Sequence, residues 1–539
     1  MGRMKTANAI DRPTRYTPRA WAGLLCCVLL AVLLPAVFKK HQSLWVDETT
    51  QLSGLTLNPV QVTKWLAGEE GHRFGVPPDR SPPMSYWVGW TWSRVFGLSE
   101  STMRWMGVML IAMATILVFD AGHRAWGIGA ATTSGLLFAI SPNVVVNAVE
   151  IRAYPLLLLI SAAGFWCLIG WLIAERQQGW WLAGLLACCV IGVFTHFFGL
   201  LLAGSLLTGA FIGGWCAGKR VRWVLLGGPV VGLAAIGIKP FVDAAFKISG
   251  VNSAPTEPGL GELAKFIYRA LHGHPSLGTS IVIAGAASVA FLGLGLLSLL
   301  PKQRSTSTAW AIIIALGAGM MVAVVAAFAS TTFDGMHPSY NLWRLPGLAL
   351  LFGSTMTLSW TFARRVAVVC MITLICGELF ACLQLIRDEG GRFAHGPHRQ
   401  LELMLSGLGT QEVVVVHDGT VGWGQGYYPL RFSRGIEFPQ YADENLGNGV
   451  RLRRLPEGEI VDPNAVRANT VVVVQMKEVG WSELAGERHV NGTPFADGPV
   501  LQWFRESSDW TQTSHWVFFS MFAADVHVFT RRAASPQGP

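Results

Sequence analysis

The fold class this sequence predicts is a polytopic α-helical membrane protein with a small α/β domain at its C-terminal end. Three observations predict it. Of the 539 residues, 51% are hydrophobic and 14% charged, whereas soluble proteins carry about 25% charged residues. Apolar runs of about twenty residues recur from Trp21 to Leu385, each long enough to cross a hydrocarbon core roughly 30 Å thick. From Glu389 onward the apolar runs shorten to strand length and are bounded by turn residues.

Taken in order, spans are predicted at about 20–38, 103–121, 128–146, 153–174, 180–196, 197–216, 222–240, 276–300, 309–329, 341–361 and 366–386. The first follows the basic segment MGRMKTANAIDRPTRYTPR, and its length predicts an uncleaved span rather than a signal peptide. The stretch PPMSYWVGWTWSRVFG (82–97) is apolar but short, opens with two prolines and carries Arg94. Loop charge decides whether it crosses. If it lies in the interface, as its tryptophans suit, then His123-Arg124, Arg176, Lys219-Arg220-Arg222, Lys302-Arg304 and Arg364-Arg365 all share the cytoplasmic side with the N-terminus. If it crosses, every one of these clusters moves outside. The positive-inside rule therefore predicts eleven spans within residues 20–386, residues 1–19 cytoplasmic and the C-terminus outside.

This topology gives a first outer loop at 39–102 and a second long one at 241–275. In the latter, KISGVNSAPTEPGLGELAKFIYRALHGHP runs from turn residues into an amphipathic stretch. That is the pattern of a lid over a site or of a surface connector. Residues 387–532 form the extracytoplasmic α/β domain, a normal single-domain size. QEVVVVHDG (411–419) and NTVVVVQMK (469–477) read as buried strands, and WVFFSMFAADVHVFTRR (516–532) as a strand pair or one bent strand. LELMLSGLG reads as a helix with a Gly stop, and AASPQGP (533–539) as a tail.

Composition also excludes function classes. The net charge of +8 is accounted for by cytoplasmic loops, and no basic-aromatic motif points to a nucleic-acid partner. All nine cysteines lie in apolar runs without CxxC or Cys/His spacing. They read as small buried apolar residues, with neither a disulfide framework nor a zinc site.

The chemistry-bearing residues gather on the predicted outer side. HQSLWVDETTQLSG (41–54) places Asp47 and Glu48 just past the first span. A carboxylate there, partly desolvated, suits proton abstraction from an attacking hydroxyl or amine. Two acids opening a watery loop are also ordinary. AVEIRAYPLLLLI (148–160) puts Glu150, Arg152 and Tyr154 at the start of a span. An arginine there can grip a phosphate in bidentate fashion or belong to an interfacial belt. THFFGLLL (195–202) puts His196 where two spans meet, and Arg104 opens another span on the same side, where it can also snorkel. Arg269, His272 and His274 end the long outer loop, and Tyr340 and Arg344 in FDGMHPSYNLWRLPGL (333–348) are four apart, on one helical face.

Laid end to end, these pieces resemble the GT-C superfamily of glycosyltransferases that use polyprenyl-phosphate sugars. The nearest branch is that of bacterial protein O-mannosyltransferases and lipid A aminoarabinose transferases. SLWVDETTQL is similar to its acidic motif, and SPPMSYWVGWTWSRVFGLSESTMRWMGVML to its Pro-Pro helix and following Arg. AVEIRAYPLLLLI, THFFGLLL, YNLWRLPGLALLFG and VVVVHDGTVGWGQGYYPLRF follow in the family's order. The resemblance implies an inverting transfer of a sugar from a polyprenyl phosphate to a lipid, glycan or protein acceptor, at the outer face of a bacterial inner membrane. It implies Asp47 as base with Glu48 as its partner, and Arg104, Arg152, Tyr154 and His196 around the donor phosphate and sugar. Arg80, Glu150, Arg269, His272, Tyr340 and Arg344 are then further substrate contacts. With no acidic metal cluster in the sequence, the transfer is expected to need no metal and no cofactor.

Two positions depart from the family pattern: Ser81 precedes the Pro-Pro pair, after Arg80, and Ser339 precedes Tyr340. Both bear on which donor and acceptor are used. The competing readings are a transporter or flippase for a lipid-linked saccharide and an inactive scaffold subunit. A transporter should show matched, Gly/Pro-broken halves, and Pro142, Pro229 and Pro346 are scattered without symmetry. The topology makes a first prediction. Alkaline phosphatase fused after Arg532 should be active and a fusion after Lys219 inactive; the opposite pattern would invert the assignment.

Overall fold

The structure is a computed structural model. It describes residues 16–42, 46–69, 81–175, 177–249, 281–300, 307–329, 342–387, 413–417, 450–453, 469–481, 488–490, 499–519 and 522–532, with a few isolated positions besides. In chain order the helices are α1 (Pro18–Phe38), α2 (Val46–Gly54), α3 (Pro59–Leu66), α4 (Met84–Phe96), α5 (Glu100–Trp126), α6 (Ile128–Ala139), α7 (Pro142–Ala148) and α8 (Tyr154–Ile173). Next come α9 (Gln178–Thr195), α10 (Gly199–Cys216), α11 (Arg222–Leu225), α12 (Gly227–Gly237) and α13 (Lys239–Ser249). Then follow α14 (Ile281–Ser298), α15 (Ser307–Ala329), α16 (Leu345–Gly353) and α17 (Thr361–Arg387). The chain divides into two compact units: residues 1–37, 80–88 and 104–384, and residues 38–79, 89–103 and 385–539.

Among the described residues, six helices are long and apolar enough to cross a membrane: α1, α5, α8, α9, α10 and α17. Two more spans arise if each bent pair counts as one, α6 with α7 (58°) and α11–α12 with α13 (47°). The chain is thus a multi-pass membrane protein whose helices are more broken than the sequence pattern suggests. The causes are local. Pro142 opens α7 and cannot continue α6, because it lacks an N–H and its ring blocks the preceding turn. The expected span 341–361 is instead α16 followed by a 3-10 turn at Ser354–Thr357. There the hydroxyls of Ser354, Thr355 and Thr357 donate to carbonyls three residues back and tighten the winding. α4 has 13 residues, about 20 Å at 1.5 Å per residue and too short for the hydrocarbon core.

In the first unit, α10 and α15 pack through small residues. A Cβ on Gly209 would stand 2.6 Å from the Ala315 carbonyl oxygen, and one on Gly213 would stand 2.8 Å from that of Ala311. Apolar helices gain little from hydrophobicity against one another in lipid, so close backbone approach supplies the contact. All nine cysteines are free, and Cys26, Cys216 and Cys376 are exposed on helix surfaces, not buried as expected. Nothing in a hydropathy count distinguishes a helix face that meets lipid from one that meets another helix.

In the second unit, the expected first outer loop contains helices. α3 has a complete capping box, in which Asn58 accepts from the Val60 and Gln61 N–H groups and the Gln61 side chain accepts from the Asn58 N–H. With Pro59 at the first position, this start signal was legible in Asn-Pro-Val-Gln. The sheet of the C-terminal domain holds β1 (Val413–His417), β2 (Glu444–Asn445), β3 (Val450–Arg453), β4 (Thr470–Trp481), β5 (Arg488–Val490), β6 (Trp510–Phe519) and β7 (Phe522–Arg531). Its order is β2-β3-β1-β4-β7-β6, with β5 paired to β4. β1 runs parallel to β3 and β4, while β7 is antiparallel to β4 and β6. The three expected strand regions are β1, β4 and the β6–β7 hairpin. LELMLSGLG and the tail fall almost wholly outside the described residues. Helix α18 (Pro499–Glu506) covers one face of the sheet.

α18 places Val500, Leu501 and Phe504 on Val471, Val473, Trp510 and Phe529. Phe504 meets Trp510 edge-on at 5.1 Å and stacks on Phe529 at 5.2 Å. Phe504→Ala should destabilise this domain by about 3–5 kcal/mol, read as protease cleavage within residues 387–532 at temperatures where the parent chain resists.

Candidate functional site

Two other elements meet the segment between α7 and α8. α7 ends at Ala148, residues 151–153 form a bend, and α8 begins at Tyr154 with Pro155 in its first turn. A proline is tolerated there because that N–H has no helical acceptor. Glu150 and Tyr154 are buried, and Arg152 is half-buried. This short run thus carries an acid, a base and a phenol within five residues.

α5 supplies Arg104, 1% exposed, whose Nη1 donates to the Val149 carbonyl oxygen at 2.6 Å. Val149 caps the C-terminal end of α7, so its carbonyl is one for which the helix supplies no N–H donor. A buried guanidinium persists only when its donors are engaged. Gly107 permits the approach, since a Cβ there would lie 2.3 Å from the Ala148 carbonyl oxygen.

The turn between α9 and α10 supplies His196. It ends α9 in an extended conformation, with its N–H bonded to the Gly192 carbonyl at 3.1 Å. The Phe198 N–H donates to His196 Nδ1 at 3.2 Å. With Nδ1 accepting, the neutral imidazole carries its proton on Nε2. The ring lies 5.4 Å from that of Tyr154 and 5.2 Å from that of Phe198. The turn needs Gly199, where a Cβ would stand 1.9 Å from the Gly192 carbonyl oxygen.

Arg104, Glu150, Arg152, Tyr154 and His196 are therefore linked through one bend and its two neighbours. Arg344 is buried in the short 3-10 turn just before α16. The adjacent Trp343 carbonyl accepts from Ser161 of α8, seven residues and about 10 Å along that helix from Tyr154. Asp47 and Glu48 belong to the other unit and occupy the first turn of α2, not a loop. The exposed N–H groups and dipole of a helix start favour carboxylates. Asp47 is half-buried and Glu48 fully buried. Arg80, Arg269, His272, His274 and Tyr340 lie outside the described residues, as does Ser339; Ser81 is buried.

Two features escaped the sequence reading. Asp120, near the other end of α5, accepts from the Tyr16 hydroxyl at 2.7 Å, Trp166 Nε1 at 2.6 Å and Arg124 Nε at 2.5 Å. It joins the start of the chain to α5 and α8. Glu378 is buried within α17, and its Oε2 has no hydrogen-bond partner among the described residues. Its signal was a single acid inside the apolar run LICGELFACL.

Residues 80–238, the stretch that holds Arg104, Glu150, Arg152, Tyr154 and His196, match the dolichyl-phosphate-mannose-protein mannosyltransferase family. The apo crystal structure of ArnT from Cupriavidus metallidurans superposes with a TM-score of 0.52 at 13% identity, over 94% of this chain and 98% of that one. The fold is that of the GT-C glycosyltransferases. A second ArnT structure, bound to undecaprenyl phosphate, matches with TM-score 0.52 and 13% identity over 97% of this chain and 100% of that one. The oligosaccharyltransferase AglB from Archaeoglobus fulgidus gives a weaker likeness, with a TM-score of 0.47 at 10% identity over 77% of this chain and 63% of that one. No curated protein matches the sequence significantly.

On this GT-C frame, Gly107 sets the depth of Arg104. Gly107→Val should force α5 off the end of α7 and cost about 1–3 kcal/mol, lowering the thermal unfolding midpoint in detergent. Gly232→Ala, with no atom within 4 Å of the new Cβ, should leave the midpoint unchanged or raise it slightly.

Proposed function

We propose that the chain transfers a sugar from a polyprenyl phosphate to a hydroxyl or amine of an acceptor, at the outer face of a bacterial inner membrane. The observation that carries this reading is the set of cationic and aromatic side chains around residues 148–154. It sits in a fold whose solved example binds undecaprenyl phosphate. Fold alone does not fix function, so the argument rests on what these groups can do. A sugar phosphate ester breaks at C1 with its electron pair leaving on the phosphate. Negative charge then grows on the phosphate oxygens, and prepositioned guanidinium groups stabilise it.

In this reading Arg104 and Arg152 face the donor phosphate, and His196 offers its Nε2 proton to a phosphate or sugar oxygen. Tyr154 holds the imidazole plane. Asp47 takes the proton from the acceptor as it attacks C1 from the opposite side, which inverts the anomeric centre, and Glu48 supports it. The arginines supply the positive charge, so the transfer requires no metal and no cofactor. The donor lipid explains why the base stands so soon after a span. Its phosphate is anchored at the bilayer surface, and the reacting carbon is one bond beyond it. Opposed orientation of the termini follows the loop charges, with the N-terminus in the cytoplasm and the C-terminal domain outside.

The test is transfer of radiolabelled sugar from a panel of polyprenyl-phosphate donors, in membranes carrying the parent chain, Asp47→Asn or Arg152→Gln at matched expression. Asp47→Asn should lower turnover by about 100-fold or more with donor binding kept, the size expected for a lost general base. Arg152→Gln should weaken both donor binding and turnover. Equal transfer by the parent chain and Asp47→Asn would remove Asp47 from the chemistry. Absence of transfer from every donor would favour a lipid-linked saccharide carrier.

A further inference from the structure

The β6–β7 hairpin carries a cluster that the transfer reaction does not use. His515 on β6 lies directly opposite His527 on β7. Asp525 is two residues before His527 and so shares its face. The register shift between Gln512 and Ser514 puts His515 on that same face. His515 Nε2 is 2.5 Å from Asp525 Oδ1, and His527 Nε2 is 3.1 Å from Asp525 Oδ2. The imidazoles stack with centroids 4.4 Å apart and planes 6° from parallel.

We propose that His515, Asp525 and His527 bind one divalent transition-metal ion, Zn²⁺ by the character of their donors. One ligand atom from each residue lies within 4.8 Å of the others. Ligands around a tetrahedral zinc stand roughly 3.3 Å apart, so small side-chain rotations gather them. Two imidazoles and a carboxylate are the donor set that zinc takes when one position stays open. That position falls to water or to Gln475, buried on β4 opposite Asp525.

A purely hydrogen-bonded cluster explains these residues less well. His527 is 1% exposed, yet neither ring nitrogen has a hydrogen-bond partner among the described residues. Its Nε2 is near Asp525 without the alignment of a hydrogen bond. A buried imidazole left so is costly, and a metal bond removes the cost at one nitrogen. His515, with 46% of its side chain exposed, gives an ion a way in from solvent.

The experiment uses the full chain in detergent, stripped with a chelator and titrated with Zn²⁺ by calorimetry and thermal unfolding. The parent chain should bind with micromolar or tighter affinity and gain several degrees in its unfolding midpoint. His515→Ala, a change at an exposed side chain, should lose at least tenfold in affinity and the gain in midpoint, while its metal-free midpoint stays within about two degrees. His515→Cys should retain binding. Equal zinc binding by the parent chain and His515→Ala would overturn the site, and so would no saturable binding by the parent chain. Neither readout depends on the transfer reaction, so this site and the proposed activity can fail separately.

Discussion

A buried positive charge governs the membrane unit of this protein. The Arg104 guanidinium is almost wholly enclosed and donates to the Val149 carbonyl. Such a group is stable in an apolar bundle only where polar backbone is available to receive it. The break between α7 and α8 makes that backbone available. Gly107 lets α5 come close enough to use it, and the same break presents Glu150, Arg152 and Tyr154. Anchoring of the cation and the gathering of Glu150, Arg152 and Tyr154 at one bend are thus one structural event.

The bends of the bundle follow the same logic. In lipid, every interrupted helix must find new partners for its backbone groups. Here the chain meets that demand locally. Serine and threonine hydroxyls bond the carbonyls behind them at the end of α16, and the His196 imidazole accepts the Phe198 N–H between α9 and α10. The interruptions that carry His196 and Arg152 are therefore both structural joints and the places where polar side chains can be held at fixed positions.

The C-terminal sheet is held by a different rule, side-chain parity. β4 and β7 turn Val471, Val473 and Phe529 toward α18. Farther along β7 the same face bears His527 and Asp525. The bulge in β6 shifts parity by one, so that Trp510 joins the apolar core and His515, five residues on, still joins the polar cluster. Without that extra residue, His515 would turn to the opposite face.

The sequence by itself determined the class of this protein and the neighbourhood of the chemistry proposed for it. Long apolar runs can only be helices in a bilayer, so the membrane character, most span positions and the strands at Val413, Val471 and the final hairpin were legible. Glu150, Arg152 and Tyr154 are adjacent in the chain and were legible as a group for that reason. Other features depend on which distant residues touch. Hydropathy cannot show that 128–146 and 341–361 break, that Cys26 faces outward while Cys27 is buried, or that Arg104 reaches Val149, 45 residues away. The α2 and α3 helices were missed within an expected loop, although the Asn58 cap was there to be read. The His515–Asp525–His527 cluster has no metal-binding spacing in sequence because its members are joined across strands by a register and a bulge. Local patterns fix elements. Only tertiary packing decides which polar groups are buried together, because the cost of burying each one is set by the partners that the fold supplies.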